Sequence, residues 1–142
     1  MTNTSLSLPF KNNDTYEGFA VTEGCLKIND NSLVFEFFTK DSMIGLLKSE
    51  VKQVVVGFED IAEISFQKSI FGNKLKLRLS NFMLAQKLPA PDAGEVKLRI
   101  ARKDREIAAS FVSKAQLAMS DYHYKTSEAE YKDELSKAID EA

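Results

Sequence analysis

A mainly β fold closed by one C-terminal helix is predicted by three features of this chain. Short apolar runs with a period of two recur between Gly18 and Ala101, separated by Asn-, Gly- and Pro-bearing turn signals. From about Asp104 the period lengthens to three and four residues, the spacing of an amphipathic helix. A small β-barrel or sandwich stoppered by that helix satisfies both patterns. The length of 142 residues suits one domain with a single core, and 44% hydrophobic with 28% charged residues is the balance of an ordinary globular protein.

Residues 1–15 are mostly polar, Leu6, Leu8 and Phe10 standing out, and Pro9 and Asn12-Asn13-Asp14 disfavour regular structure, so residues 1–17 are expected to form a loose arm. The first strand is expected from Gly18 to Asn29 and the second from Ser32 to Thr39, joined through Asn29-Asp30-Asn31 as a hairpin. Leu33, Phe35 and Phe37 share one face of the second strand, and Val34, Glu36 and Phe38 the other. An apolar stretch, Met43-Ile44-Gly45-Leu46-Leu47, precedes a third strand at Gln53-Val54-Val55-Val56. The fourth, Ile61 to Lys68, alternates Ala62, Ile64 and Phe66 with Glu63, Ser65 and Gln67.

After the Ile70-Phe71-Gly72-Asn73 turn comes the clearest alternation, with Leu75, Leu77 and Leu79 set against Lys74, Lys76 and Arg78. Phe82 to Leu88 is a weaker strand, since Ser80-Asn81 is either a tight turn or a bulge in one long bent strand. Residues 89–94 form a proline loop. Val96, Leu98 and Ile100 alternate with Lys97, Arg99 and Arg102 in the last strand. The helix then carries Ile107, Ala108, Phe111, Val112, Ala115, Ala118, Met119 and Tyr122 as a stripe that must cover an apolar surface. Beyond residue 122 the composition turns acidic. Residues 123–142 are expected to form a separate short helix, with Tyr131, Leu135, Ala138 and Ile139 on one side and a capping box from Ser127 to Glu130, either docked or frayed into solvent.

The residue types for catalysis are sparse. One histidine, His123, sits at the expected helix end, where the helix dipole favours a solvated imidazole. One cysteine, Cys25, cannot pair within the chain, and its place beside Leu26 suggests a small buried residue in a reducing, cytoplasmic setting. One His and one Cys far apart are not a zinc set, and the acids lack calcium-loop spacing, so no cofactor or metal is expected. Glu59, Asp60 and Glu63 fall at a turn and on a wet strand face, where solvation accounts for them. Nineteen basic and twenty-one acidic residues give a net charge of −2, which supplies no general attraction to nucleic acid, and none is expected as a partner. The N-terminus lacks a secretory leader pattern, and no run reaches the roughly 18 apolar residues that span a bilayer.

The strand order, the pair around "VVVGFEDIAEISF", the glycine hairpin "SIFGNKLKLRL" and the ending "GEVKLRIARKDREIAASFVSKAQLAM" together resemble the bacterial pleckstrin-homology-like (PH-like, GRAM-like) domains over about Gly18 to Ser120. The resemblance implies a barrel of about seven antiparallel strands in two near-orthogonal sheets, capped by one amphipathic helix over residues 18–122. It also implies binding in place of catalysis. Lipid-gripping members cluster Lys and Arg in the first hairpin, whereas Asn29-Asp30-Asn31-Ser32 has only Lys27 nearby, opposed by Asp30.

The expected function is therefore a non-enzymatic interaction or scaffolding domain that binds protein, itself included, through the strand edges at Met43–Leu47 and Val54–Val56, poor in protective charge, or through the acidic terminal helix. The alternative is a peripheral module for anionic lipid, built from Lys68, Phe71, Lys74, Lys76 and Arg78. In that alternative Lys74, Lys76 and Arg78 form a basic stripe with Lys97 and Arg99, and Ile70-Phe71 forms an apolar knob between Lys68 and Lys74. Against it stand a solvated face balanced by Glu95, and a Phe71 folded back over its own sheet.

Overall fold

The computed structural model describes residues 6–15, 20–41, 50–89 and 91–140. They form two antiparallel sheets followed by a long C-terminal helix. The first sheet has the order β1 (Ser7–Thr15), β2 (Ala20–Ile28), β3 (Ser32–Asp41), β4 (Lys52–Gly57), and a single 3-10 turn, Phe58–Asp60, leads out of it. The second has the order β5 (Ile61–Gln67), β6 (Asn73–Leu79), β8 (Glu95–Ile100), β7 (Pro91–Asp92), with a short helix α1 (Phe82–Ala85) between β6 and β7. A second 3-10 turn, Arg102–Asp104, opens α2 (Arg105–Asp140).

Alternation sets the core. On β6 and β8 the side chains of Leu75, Leu77, Leu79, Val96, Leu98 and Ile100 are buried, while Lys74, Arg78, Lys97 and Arg99 are exposed and Lys76 is half-buried, as a strand with one wet face requires. Leu8, Phe10, Leu26, Leu33, Phe35 and Phe37 line the inner face of the first sheet and belong to the same cluster. Gly24 is forced by this packing, because a Cβ there would strike the Glu36 carbonyl and approach Phe10 Cζ to 2.9 Å. On β5 the expected faces change. A bulge at Ala62 lets both Ile61 and Ile64 point inward, leaves Ala62 exposed and Phe66 half-buried, and so breaks the simple period of two.

Several sequence expectations are corrected. Residues 7–15 of the expected arm are an edge strand, paired to β2 from Ser7↔Lys27 to Thr15↔Ala20, with Leu8 and Phe10 buried. Pro9 disguised it, and an edge is the place where a strand tolerates proline. The Asn29–Asn31 hairpin therefore joins β2 to β3 and is not the first hairpin of the fold. Cys25 lies on the outer face of the first sheet, half-buried, because Leu26 takes the inward place. Phe82 to Leu88 is α1 and a turn: Asn81 Oδ1 accepts the Leu84 amide at 3.2 Å and caps the helix, and Phe82 and Met83 face solvent. The proline loop contributes β7, so the described residues hold eight strands in place of seven. Ile107 is 38% exposed and falls outside the core stripe of the helix. The acidic tail is no separate helix, since α2 runs unbroken through Tyr122 to Asp140. Met43 to Leu47 lie outside the described residues.

Asn12 holds the two sheets together at one corner. Its Nδ2 donates to the Lys97 carbonyl at 3.1 Å and its Oδ1 accepts the Arg99 amide at 2.8 Å, so a buried side chain takes the place of a strand on the edge of β8 beyond β7. No backbone ladder closes the sheets into a barrel among the described residues. The first half of α2 covers the core with Ala108, Phe111, Val112, Ala115 and Met119. Gln116 Nε2 donates to the Ile64 carbonyl of edge strand β5 at 3.0 Å, and Tyr122 packs edge-on against Phe58 with ring centroids 5.8 Å apart.

Two outcomes follow for stability. Phe111→Ala is expected to cost about 3–5 kcal/mol by the usual cavity penalty, read as a lowered urea midpoint. Asn12→Ala is expected to cost about 1–3 kcal/mol, because it strips partners from two backbone groups of β8; an unchanged midpoint would show that the corner bond is dispensable.

Candidate functional site

The outer face of the second sheet is ordered in cross-strand rows. Gln67, Lys74 and Arg99 form one row, Ser65, Lys76 and Lys97 the next, and Glu63, Arg78 and Glu95 the third. Like charges therefore face one another at Lys74–Arg99 and at Lys76–Lys97, an arrangement that costs stability unless a counter-charge is present. At the far end the counter-charges are in place: Arg78 Nη2 lies 3.0 Å from Glu63 and Lys76 Nζ 3.4 Å from Glu95. At the hairpin end they are not. Lys68, Lys74, Lys97, Arg99 and Arg102 make no ion pair among the described residues.

The hairpin between β5 and β6 rises from this unpaired end. Ser69 stabilises it, its carbonyl accepting the Gly72 amide at 3.2 Å and its Oγ the Phe71 amide at 3.1 Å, and Gly72 takes the positive φ the turn demands. Ile70 and Phe71 are 86% and 88% exposed. Phe71 is thus a free knob and does not fold back over the sheet. A hollow of about 290 Å³ beside it is shared by Phe71, Arg99, Arg102 and Lys11. Of the residues expected to bind, Phe71 lines this hollow, Lys68 and Lys74 flank the hairpin in the chain without lining it, and Lys76 and Arg78 are paired with Glu95 and Glu63. Arg102 was missed because the chain leaves β8 before reaching it, and only the packing of the 3-10 turn brings it to the hairpin.

A second, larger concavity of about 580 Å³ adjoins the first sheet, lined by Phe10, Phe37, Phe38, Cys25 and Val51 together with Lys11, Glu23, Glu36, Lys103 and Asp104. Two of its acids are held by lysines. Glu23 pairs with Lys40 at 2.9 Å and Lys11 at 3.4 Å, and Glu36 with Lys27 at 3.3 Å. The hydrogen bond from Lys40 lowers the Glu23 pKa below its ordinary value, the opposite of the raised pKa that suits a carboxyl for general-acid work.

The other titratable residues singled out in the sequence are dispersed. Glu59 accepts a hydrogen bond from Tyr122 Oη at 3.3 Å, Glu63 belongs to Arg78, and His123 is exposed with its ring against Tyr122. Among the described residues no group of three or more His, Cys, Asp or Glu is placed to hold a metal ion, and no helix is long and apolar enough to cross a membrane.

The most exposed element is the second half of α2. From His123 to Asp140 every side chain is exposed, a length of about 27 Å at roughly 1.5 Å per residue. Leu117, Tyr124, Tyr131, Leu135 and Ile139, 48–72% exposed, follow one another at seven- and four-residue steps. Leu117 lies about 200° around the helix from buried Ala115 at roughly 100° per residue, so this stripe is opposite the core-facing one. Asp121 and Glu128 interrupt it, each bound to the lysine four residues on, Lys125 at 3.0 Å and Lys132 at 3.1 Å. The seven-residue recurrence from Leu117 to Tyr131 was the sequence signal for this face, masked by the stronger core stripe of the same helix. No family model, curated protein or solved structure matches the chain.

The Glu23 pairing generates an acid-stability expectation. A carboxyl with a folded-state pKa below its unfolded value of 4.5 stabilises the protein above that pH and loses its contribution as pH falls through the folded value. Glu23→Gln is expected to lower the melting temperature at pH 7 and to flatten its decline below about pH 4.5, checked by thermal melts across the acid range.

Proposed function

We propose that the protein is a non-enzymatic PH-like interaction domain that binds another protein chain through the exposed half of α2. The single observation carrying this reading is the second apolar stripe of that helix. An isolated helix is marginal in water, and most helical stability in proteins comes from burying a face. From His123 onward every described residue of α2 is exposed and the helix is supported by its own internal contacts, among them Lys137–Asp133 at 3.3 Å and the Thr126 hydroxyl on the Tyr122 carbonyl, yet it keeps Tyr124, Tyr131, Leu135 and Ile139 on one side. A partner groove that receives an amphipathic helix at such spacing supplies the missing burial.

The PH-like assignment is supported by the order of elements, four strands and then a second antiparallel sheet ending in a helix. The sequence between β1 and β2, Tyr16-Glu17-Gly18-Phe19, carries no Lys or Arg, and Lys11 of β1 is already paired with Glu23. That composition favours protein over inositide lipid. The exposed Phe71 knob with its unpaired cations supports a second reading, contact with an anionic lipid surface.

The test replaces Tyr131 with a photo-crosslinking phenylalanine in living cells, beside a control at Asp133, about 200° around the helix. Protein adducts at 131 and none at 133 are expected. Absence of any protein adduct at 131, together with sedimentation of the purified chain on phosphatidylserine vesicles, would favour the lipid reading.

A further inference from the structure

We propose that the hollow beside Phe71 receives the terminal phosphate of a membrane-lipid headgroup, held by Arg99, Arg102 and Asn73 while the hairpin tip enters the lipid. The inference rests on the second reading above, contact with an anionic lipid surface, and names the group that is bound and the residues that bind it. It makes no use of α2 and owes nothing to the connection between β1 and β2.

Three remote stretches of chain build the hollow: Lys11 and Asn13 of β1, Ser69 to Asn73 of the hairpin, and Arg99 to Arg102 at the end of β8. No Asp or Glu lines it. Arg99 and Arg102 make no ion pair among the described residues, and Lys11 shares its ammonium with Glu23 at 3.4 Å. Arg99 also faces Lys74 across the ladder, a like-charge pair whose cost a bound anion relieves. Guanidinium groups suit a phosphate in particular, because their forked N–H donors take its oxygens in pairs.

Asn73 marks the place of a bound group. It is 5% exposed, and its carboxamide makes no hydrogen bond among the described residues. No buried side-chain nitrogen or oxygen among those residues is sealed from solvent without a partner, so the carboxamide opens into the hollow that it lines. A carboxamide so nearly buried is costly to leave unbonded, and a phosphate oxygen accepting from Nδ2 satisfies it. The volume of about 290 Å³ lies below the range of roughly 300–1,000 Å³ that encloses a drug-sized molecule, and suits a small polar group. A terminal phosphate brings a third free oxygen that a phosphodiester lacks, enough to meet both arginines and the carboxamide.

The tip decides the source of that phosphate. A soluble phosphate leaves Ile70 and Phe71, 86% and 88% exposed, in water. A lipid places them in the boundary between headgroups and acyl chains while its own headgroup enters the hollow.

The test is co-sedimentation of the full chain with phosphatidylcholine vesicles doped either with phosphatidic acid, which carries a terminal phosphate, or with phosphatidylserine to the same surface charge. Wild type is expected to sediment with phosphatidic acid and about tenfold more weakly with phosphatidylserine, the difference of one charge-assisted hydrogen bond. Arg99→Gln with Arg102→Gln is expected to lose about tenfold or more on phosphatidic acid, whereas Lys76→Gln with Arg78→Gln, the same loss of charge at paired positions, keeps its binding. Asn73→Asp sets a carboxylate against the phosphate and is expected to abolish the preference for phosphatidic acid. Thermal melts confirm that each variant folds. A wild type that ignores phosphatidic acid, or a double arginine variant that sediments as wild type does, overturns the proposal. Equal sedimentation on the two lipids shows a response to surface charge alone, so the anionic-surface reading stands and the headgroup site fails; sedimentation with neither removes both. A melting temperature raised by inorganic phosphate in an Arg99-dependent manner, without vesicle binding, makes the hollow a site for soluble phosphate and overturns its assignment to a lipid.

Discussion

Strand β8 has one edge in the ladder with β6 and another that, among the described residues, pairs with the two residues of β7 at Val96 and Glu95. The remainder of that edge would present the Lys97 carbonyl and the Arg99 amide inside the fold, and one carboxamide meets both. Asn12 is therefore the piece on which the joint of the sheets turns: its donor and acceptor sit on one planar group, in the spacing a neighbouring strand would offer. Because Asn12 belongs to β1, the same bond fixes the strand that brings Leu8 and Phe10 into the core, and a buried amide side chain becomes part of the hydrophobic assembly without an unpaired atom.

From that joint the polar surface divides by how completely its charges are matched. On the first sheet Glu23 sits between two lysines and Glu36 beside a third, so both of these carboxylates are matched. On the second sheet the pairing among the described residues is one-sided, in place at Glu63 and Glu95 and absent toward the hairpin. Exposed pairs contribute little to stability individually. Their value here is spatial, since they confine the unpaired cations to the end that also carries Phe71. The molecule thus has one basic apolar end and, on the outer half of α2, an apolar stripe whose own acids, Asp121 and Glu128, are paired with lysines.

The helix shows how two demands share one element. Its first half is held by the core through Phe111 and Ala115 and by the sheet edge through Gln116. That anchorage offsets the cost of nucleating a helix, so the second half propagates from an existing end, with its four-residue ion pairs as internal support. A rigid arm with an apolar side is pre-organised for binding, with less chain entropy to lose than a disordered tail would have.

Alternation and turn chemistry were sufficient in the sequence to place β2, β3, β4, β5, β6 and β8 within a few residues, to send Leu75, Leu77 and Leu98 inward, and to put the helix last, because these signals are local and depend only on the period of each element. The strand β1 escaped because its inner-face pattern Leu6-Leu8-Phe10 ends in a polar residue, and Asn12 is an inward position only when the edge of β8 is there to receive it. The same holds for Phe82 to Leu88, where one cap from Asn81 outweighed a weak alternation. At the candidate site the sequence already contained the basic stripe and the Phe71 knob. Which cations remain free was decided by cross-strand register, and the meeting of Arg99 and Arg102 with the hairpin by packing across the corner, both of which are distances between residues remote in the chain. Whether Tyr124, Tyr131 and Leu135 faced a core or solvent was likewise a tertiary matter, since a helical stripe is the same in sequence whether or not a domain lies beneath it.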